Sequence, residues 1–241
     1  MSEASPRSVP LLSEIRDKTQ AVFGKRPCLW QLKVAEAILK GDKDITCIAG
    51  TGQGKTLTFW MPLLFEEGIQ IVVSPLNILG KQHVESLEKQ GIHAIALKAE
   101  TATAENYRKI EDGVYRAIVV SPEELMKDGG EFESLLKKDT FTSRIISLVW
   151  DEAHCVSTWG DFRPEYKDAR RLRYLLPPTI PFYLTSATLP SLILKDVHDI
   201  LQIRPSQHVL IHRSNDRPNV SLSVCKMQHS LTSYDDLAFL V

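Results

Sequence analysis

Six short runs of this chain are predominantly apolar rather than alternating: residues 45–49, 69–74, 94–97, 117–121, 145–150 and 182–185. A strand with one face in water alternates apolar and polar residues, whereas a strand covered on both faces does not. Between most of these runs lie stretches with helical spacing, at 55–67, 76–90, 103–111, 131–138 and 165–175. Strands alternating with helices predict a doubly wound α/β domain, a mostly parallel sheet with helices on both faces. In such a sheet, ligands bind beyond the C-terminal ends of the strands.

The flanks read more simply. Helical patterns cover 11–22 and 30–40, separated by the breaker Pro27. After Pro190 the pattern predicts a helix over 191–203 and short strands at 208–211 and 220–224. The expected division is a flexible or helical extension (1–20), a main domain (21–205), and a linker with the opening of a further unit (206–241). Residues 1–10, rich in Ser and Pro, are expected to be loose.

Composition excludes several classes. Of 241 residues, 29 are basic and 30 acidic, for a net charge of −1, and 43% are hydrophobic. That is too apolar and too evenly charged for a disordered chain. It also carries no global positive field, so any nucleic-acid contact must be local. Cys28, Cys47, Cys155 and Cys225 form no C-x-x-C pair, so no structural zinc is expected. No apolar run is long enough to span a membrane, and the N-terminus carries no secretory signal pattern. An intracellular, reducing setting is expected.

Three segments carry chemistry, each at the end of an expected strand. The first is Ala49-Gly50-Thr51-Gly52-Gln53-Gly54-Lys55-Thr56, which fits the phosphate loop G-x-x-x-x-G-K-[ST] with Ala49 in the first Gly position. Its glycines let backbone N–H groups turn toward a phosphate. Lys55 would reach the β- and γ-phosphates, and the Thr56 hydroxyl would ligate Mg²⁺. The second is Asp151-Glu152-Ala153-His154. Asp151 is the candidate for holding Mg²⁺, and Glu152 for orienting and deprotonating an attacking water. His154 either couples the nucleotide to a later motif or packs as a hydrogen-bonded residue. Acids at a helix N-terminus are the bland alternative for the whole segment. The third is Ser186-Ala187-Thr188, whose hydroxyls can bond a neighbouring carboxylate or γ-phosphate and relay its loss. Alternatively they cap the next helix.

In this order the three segments resemble the first motor domain of superfamily 2 helicases, a RecA-like P-loop NTPase fold. The string from Asp151 to Tyr166, Asp-Glu-Ala-His-Cys-Val-Ser-Thr-Trp-Gly-Asp-Phe-Arg-Pro-Glu-Tyr, resembles the RecQ family. The resemblance runs from about Val22 to Asn219. It implies ATP and Mg²⁺ as cofactors, single-stranded or forked DNA as partner, 3′–5′ unwinding, and a nuclear location. It implies an adenine-reading role for Gln31, and DNA-backbone contacts at Ser74 and Pro75 and at Ser121. Trp159, Phe162 and Arg163 match an aromatic loop that joins single-strand binding to hydrolysis; core packing is the alternative for the two rings. Five basic and two acidic side chains between Arg163 and Arg173 offer either a DNA contact or a solvated helix face.

The sequence departs from the family in three places. Gly160 adjoins Asp161 where a His usually intervenes, Cys28 stands where Arg is frequent, and the phosphate loop differs from the usual T-G-G-G-K-S. No Gly-Arg dipeptide occurs, so the arginine finger of a second motor domain is expected to be missing and a partner chain could complete the cleft. Two other readings stay open: a non-catalytic nucleotide- or nucleic-acid-binding module acting through a partner, and an RNA-dependent DEAH-type ATPase.

Overall fold

A computed structural model describes residues 9–75, 77–160, 163–221, 223–230 and 232–240. Seven strands form one sheet in the order β3-β4-β2-β5-β6-β1-β7. They are β1 (Asp44–Ile48), β2 (Ile69–Val73), β3 (Ala94–Leu97), β4 (Ala117–Val120), β5 (Ile145–Asp151), β6 (Phe182–Ser186) and β7 (His208–His212). Every pairing is parallel, so all strand C-termini emerge on one edge.

The continuous apolar runs are explained by two cores, one on each face. Ile71, Val73, Ile118, Val120, Leu148 and Trp150 enter one cluster, and the intervening Val72, Val119 and Val149 enter the other. Successive side chains point to opposite faces, so each face needs its own apolar set. The helices α1 (Leu12–Phe23), α2 (Leu29–Lys40), α3 (Lys55–Trp60), α4 (Asn77–Glu88), α5 (Ala104–Glu111) and α6 (Pro122–Met126) precede β5, as do α7 (Glu131–Leu136) and α8 (Asp139–Thr142). After β5 come α9 (His154–Thr158), α10 (Arg171–Leu175) and α11 (Ser191–Ile200). Residues of α2 and α3 join the second cluster, and residues of α5, α7, α9 and α11 the first. The expected layering of helices on both faces therefore holds.

Some local expectations fail, for physical reasons. The helix expected over 165–175 is broken into a 3-10 turn at Pro164–Tyr166 and the short α10; the core takes Tyr166, Ala169 and Leu172 at a strict three-residue spacing, which suits 3-10 turns better than a continuous α-helix. No strand forms among the described residues of 220–224; Val220 and Val224 are exposed and lack a sheet to join. The sheet also continues past the expected boundary at 205, since β7 pairs with β1 over five residues. At the other end, α1 crosses the expected boundary at 20 and buries Ile15 and Thr19 against α2 and Met61.

Candidate active site

The phosphate loop is the connection from β1 to α3. It is anchored at its start, where the Ala49 amide donates to the Ser186 carbonyl at 3.1 Å. Its turn depends on glycine. Gly52 and Gly54 have φ of +80° and +83°, and a Cβ on Gly54 would stand 2.7 Å from Gln31 Nε2. Below it lies a cavity of about 550 Å³, lined by Thr51, Gly52, Gly54, Lys55 and Thr56 and also by Asp151 and Glu152. The two clusters singled out from sequence, nearly a hundred residues apart, thus face one space. Gly50 and Gln53 sit on the outer side of the loop, toward residues 214–217.

Asp151 ends β5 as a buried residue, 9% exposed. Among the described residues, its Oδ1 accepts only from the Glu152 amide, at 3.1 Å, and its Oδ2 lies 3.9 Å from His83 Nε2. That imidazole nitrogen is buried and has no hydrogen-bond partner among the described residues. Glu152 has φ of +50°, a left-handed conformation that costs about 1–3 kcal/mol in a non-glycine residue and is retained where the surroundings enforce it. The strained turn lifts Glu152 out of the strand and into the cavity before α9 begins.

His154 joins this carboxylate to the third motif. Its Nδ1 lies 2.9 Å from Ser186 Oγ and 3.3 Å from Glu152 Oε2, and its Nε2 lies 3.6 Å from Cys155 Sγ. The sulfur and then the carboxylate favour the charged ring, so His154 is pushed up to about 10. In return, the hydrogen bond from His154 outweighs burial and, with the charge of Lys55, holds Glu152 below the ordinary carboxylate range. Ser186 Oγ also bonds the Thr188 backbone. The helix-cap alternative for this motif does not hold, since Pro190 is the N-cap of α11 and no side chain caps it.

The structure gives Gln31, expected to read adenine, a role in bracing the loop, and it adds groups that sequence reasoning left aside. Gln31 is buried on α2, where its Oε1 accepts from the Cys28 amide (2.7 Å) and its Nε2 donates to the Gly54 carbonyl (2.9 Å). Its amide therefore braces the loop in this structure, and both of its polar atoms are engaged. Phe23, Lys25, Arg26, Trp60 and His83 line the same cavity. Arg26 is out of register with the family pattern, and His83 belongs to no local motif; only folding brings them here. Among the described residues no three His, Cys, Asp or Glu side chains cluster to hold a metal ion. Mg²⁺ does not need such a cage, because it takes one or two protein oxygens plus phosphates and water. Thr56 and Asp151 on one cavity, with an unpartnered buried nitrogen beside the carboxylate, fit that arrangement.

The candidate nucleic-acid residues lie at the same edge of the sheet, beyond β2 and β4. Arg163 holds them together: its guanidinium donates to the Pro75 carbonyl (3.0 Å), lies 3.3 Å from the Glu123 carboxylate, and stacks 5.1 Å from the Trp159 ring centre. Ser121 Oγ caps α6 by accepting from the Glu124 amide. Ser74 is buried with an unpartnered hydroxyl. Trp159 is half-buried against the first core cluster. Phe162 lies outside the described residues. The basic stretch is largely spent internally: Arg171 pairs with Asp128 and Glu133, and Arg173 with Asp44. No described helix is long and apolar enough to cross a membrane.

Comparison with known proteins agrees with this geometry. Residues 29–197 match the DEAD/DEAH box helicase family. The chain is 35% identical over 217 residues to the ATP-dependent DNA helicase RecQ of Pasteurella multocida, covering 88% of this chain and 33% of that protein. It is 34% identical to the ATP-dependent DNA helicase Q-like 4B of Arabidopsis thaliana, covering 80% and 17%. It is 31% identical to a putative ATP-dependent RNA helicase, R290, of Acanthamoeba polyphaga mimivirus, covering 80% and 34%. The chain therefore spans about a third or less of the relatives it matches. Among solved structures, the helicase MrfA bound to DNA superposes with a TM-score of 0.65 at 18% identity, covering 88% of this chain and 32% of that one. The Pyrococcus furiosus Hef helicase domain superposes at 0.59 and 20%, covering 83% and 40%. These likenesses establish the RecA-like helicase fold, and the family match over most of its length makes this chain a member of the DEAD/DEAH box helicases.

Proposed function

We propose that this chain is the ATP-binding motor domain of a RecQ-like DNA helicase, taking ATP and Mg²⁺ into the cavity between its phosphate loop and β5. The single observation that carries the reading is that Lys55, Thr56, Asp151 and Glu152 line one cavity of about 550 Å³, within the range of small-ligand sites. Lys55 and the amides of 50–54 would hold the triphosphate. Thr56 and Asp151 would hold Mg²⁺, which supplies charge neutralisation at the β- and γ-phosphates. Phe23 and Arg26 offer an aromatic face and a guanidinium to a flat base.

The work of this chain's own residues follows from their contacts. Glu152, held ionised by His154 and Lys55, accepts a hydrogen bond from a water and orients it toward the γ-phosphate. A carboxylate held this low is a weak base, so positioning is its larger contribution. His154, bonded to both Glu152 and Ser186, passes a change at the carboxylate to the 186–188 turn. On the same edge, Arg163, Trp159, Pro75 and Ser121 form the surface offered to single-stranded or forked DNA. Aromatic stacking there would be indifferent to sequence. The RecQ resemblance extends the proposal to 3′–5′ polarity and to DNA repair or recombination, in the nucleus where the cell has one. In this reading the residues after β7 are a linker and the opening of a second motor domain. The 241 residues alone bind nucleotide, hydrolyse it slowly and unwind no duplex.

The test is ATP hydrolysis with and without single-stranded DNA, comparing the wild-type chain with Glu152→Gln. A slow, DNA-stimulated rate that falls about 10²-fold or more in the variant supports the reading. An equal rate in both proteins points instead to a non-catalytic binding module. The viral relative named as an RNA helicase gives a second reading, RNA dependence, some footing. Competition between single-stranded DNA and RNA of one sequence decides between them.

A further inference from the structure

Beyond β7 the chain does not leave the domain at once. The Arg213 amide donates to the Ile48 carbonyl at 2.8 Å, continuing the ladder to the mouth of the phosphate loop. Residues 214–217 then lie across the loop's outer side. The Ser214 carbonyl accepts from Gln53 Nε2 at 3.4 Å, Asn215 Nδ2 donates to the Ala187 carbonyl at 2.8 Å, and the Arg217 guanidinium donates to the Thr51 carbonyl. A Cβ on Gly50 would stand 3.2 Å from Asn215 Oδ1 and 3.3 Å from Arg217 Nη2, so this glycine makes room for both side chains.

The placement matters because the start and the far side of the loop are already braced from within the domain, by the Ala49–Ser186 backbone bond and by Gln31, while its tip is not braced by either. Its tip residues, Thr51 and Gly52, are exposed at the mouth of the cavity, and their conformation decides whether the amides of 50–54 turn inward together. A guanidinium on the Thr51 carbonyl orients that peptide, and orienting the carbonyl outward turns the following amide inward. Asn215 fastens the same segment to the turn at 186–188, the motif that bonds His154.

We propose that Asn215 and Arg217 are positioning residues for nucleotide binding: they clamp the phosphate loop to the 186–188 turn and hold Thr51 in the orientation that a triphosphate requires. The proposal rests on the nucleotide site argued above and adds two residues that lie outside its motifs. It also gives the segment leading out of this domain a direct mechanical hold on the loop. Whatever pulls that segment away loosens the nucleotide site.

The experiment is calorimetric titration of the full 241-residue chain with Mg-ATP and Mg-ADP, alongside Lys55→Ala, Arg217→Ala, Arg217→Lys and Asn215→Ala. Each protein's Tm and the hydrogen exchange of the 50–54 amides are measured as well. The expected loss for Arg217→Ala is about three- to tenfold in both affinities, since one exposed charge-assisted bond is removed. Arg217→Lys restores part of it, Asn215→Ala loses about threefold, Tm is unchanged, and exchange at 50–54 rises. If Lys55→Ala abolishes binding while Arg217→Ala and Asn215→Ala bind as wild type, the clamp is wrong and the site stands. If the wild type takes up no nucleotide, or Lys55→Ala binds normally, the site itself is wrong. A loss matched by an equal fall in Tm, with no change in exchange at 50–54, also overturns the positioning role, because the residues would then act only on stability.

Discussion

The two ends of the same sheet each bury an acid, and they treat it in opposite ways. At the N-terminal edge, Asp44 is fully buried and saturated: it accepts from the Phe182 amide, from the Arg204 amide and guanidinium, and from Arg173. At the C-terminal edge, Asp151 is nearly as buried yet among the described residues accepts one bond, from its own neighbour's amide, and faces a His83 nitrogen with no hydrogen-bond partner there. A carboxylate whose lone pairs are all taken by the protein fixes structure. One with spare lone pairs on a cavity is available to a ligand. The motif Asp151-Glu152-Ala153-His154 marks one of them in the sequence, but burial and position at the end of an apolar run do not, and only the hydrogen bonds show that Asp44 is sealed and Asp151 open.

The histidines repeat the contrast. His198 and His208 both bond the buried Thr46 hydroxyl beneath the sheet, and burial holds both below the ordinary histidine value, with the facing His208 charge adding to the effect on His198. His154, above the sheet, is held well above that value by Cys155 and Glu152. One edge keeps its imidazoles neutral, and the other keeps its imidazole charged beside the carboxylate that meets the ligand.

Substitutions that separate the two edges test this comparison. Asp44→Ala carries the largest expected effect, about 3–5 kcal/mol of stability, because two guanidiniums lose a buried partner. Chemical denaturation measures it, and a loss below about 1 kcal/mol would mean the cluster is not structural. Burial alone would raise Asp44, but Arg204, Phe182 and Arg173 hold it below the ordinary carboxylate range. Its contribution is therefore present above that range and disappears as pH falls through the lowered value. Asp151→Asn should do the reverse: a stability change under about 1 kcal/mol with loss of magnesium-dependent ATP uptake, read by calorimetry with and without chelator. Retained magnesium dependence would place the metal elsewhere.

Ser186→Ala comes next, costing about 1 kcal/mol as read by chemical denaturation, since an oxygen partner of His154 Nδ1 is removed. An unchanged stability would remove Ser186 from the relay. The smallest effect is a matter of protonation alone. His154 should stay charged at pH 8 and titrate near 10, while His198 and His208 are neutral at pH 7. The signs follow: the His154 contribution is full below the ordinary histidine value and is lost as pH rises through about 10. The His198 and His208 pair costs stability as pH falls below the ordinary value toward their lowered ones. Side-chain NMR of the imidazoles reads all three; a His154 that titrates near 6.5, the ordinary value, would break the comparison.

Much of the active edge was legible before folding. The glycines of 50–54, Lys55-Thr56 and Asp151-Glu152 are local signals, because each motif must present its own backbone to a phosphate or metal. The expectation that they share a site needed only the rule that parallel strands end on one edge. Gln31 was legible as a site residue, yet its contacts were not: its amide is taken by Cys28 and Gly54. His83, Arg26, Asn215 and Arg217 carry no local pattern, and only the paths of α4, α1 and the segment after β7 bring them to the loop.

By itself, then, the order of residues determined the parallel α/β layering and the phosphate-binding chemistry, because burial on two faces and turns at glycine are written within a few neighbouring positions. Tertiary structure alone decided which acid is sealed and which is open, that β7 completes the sheet beside β1, and that the 214–217 segment rests on the phosphate loop. Those outcomes depend on partners up to 166 residues away. No periodicity read along the chain can report how such distant groups share out their hydrogen bonds once the solvent is excluded.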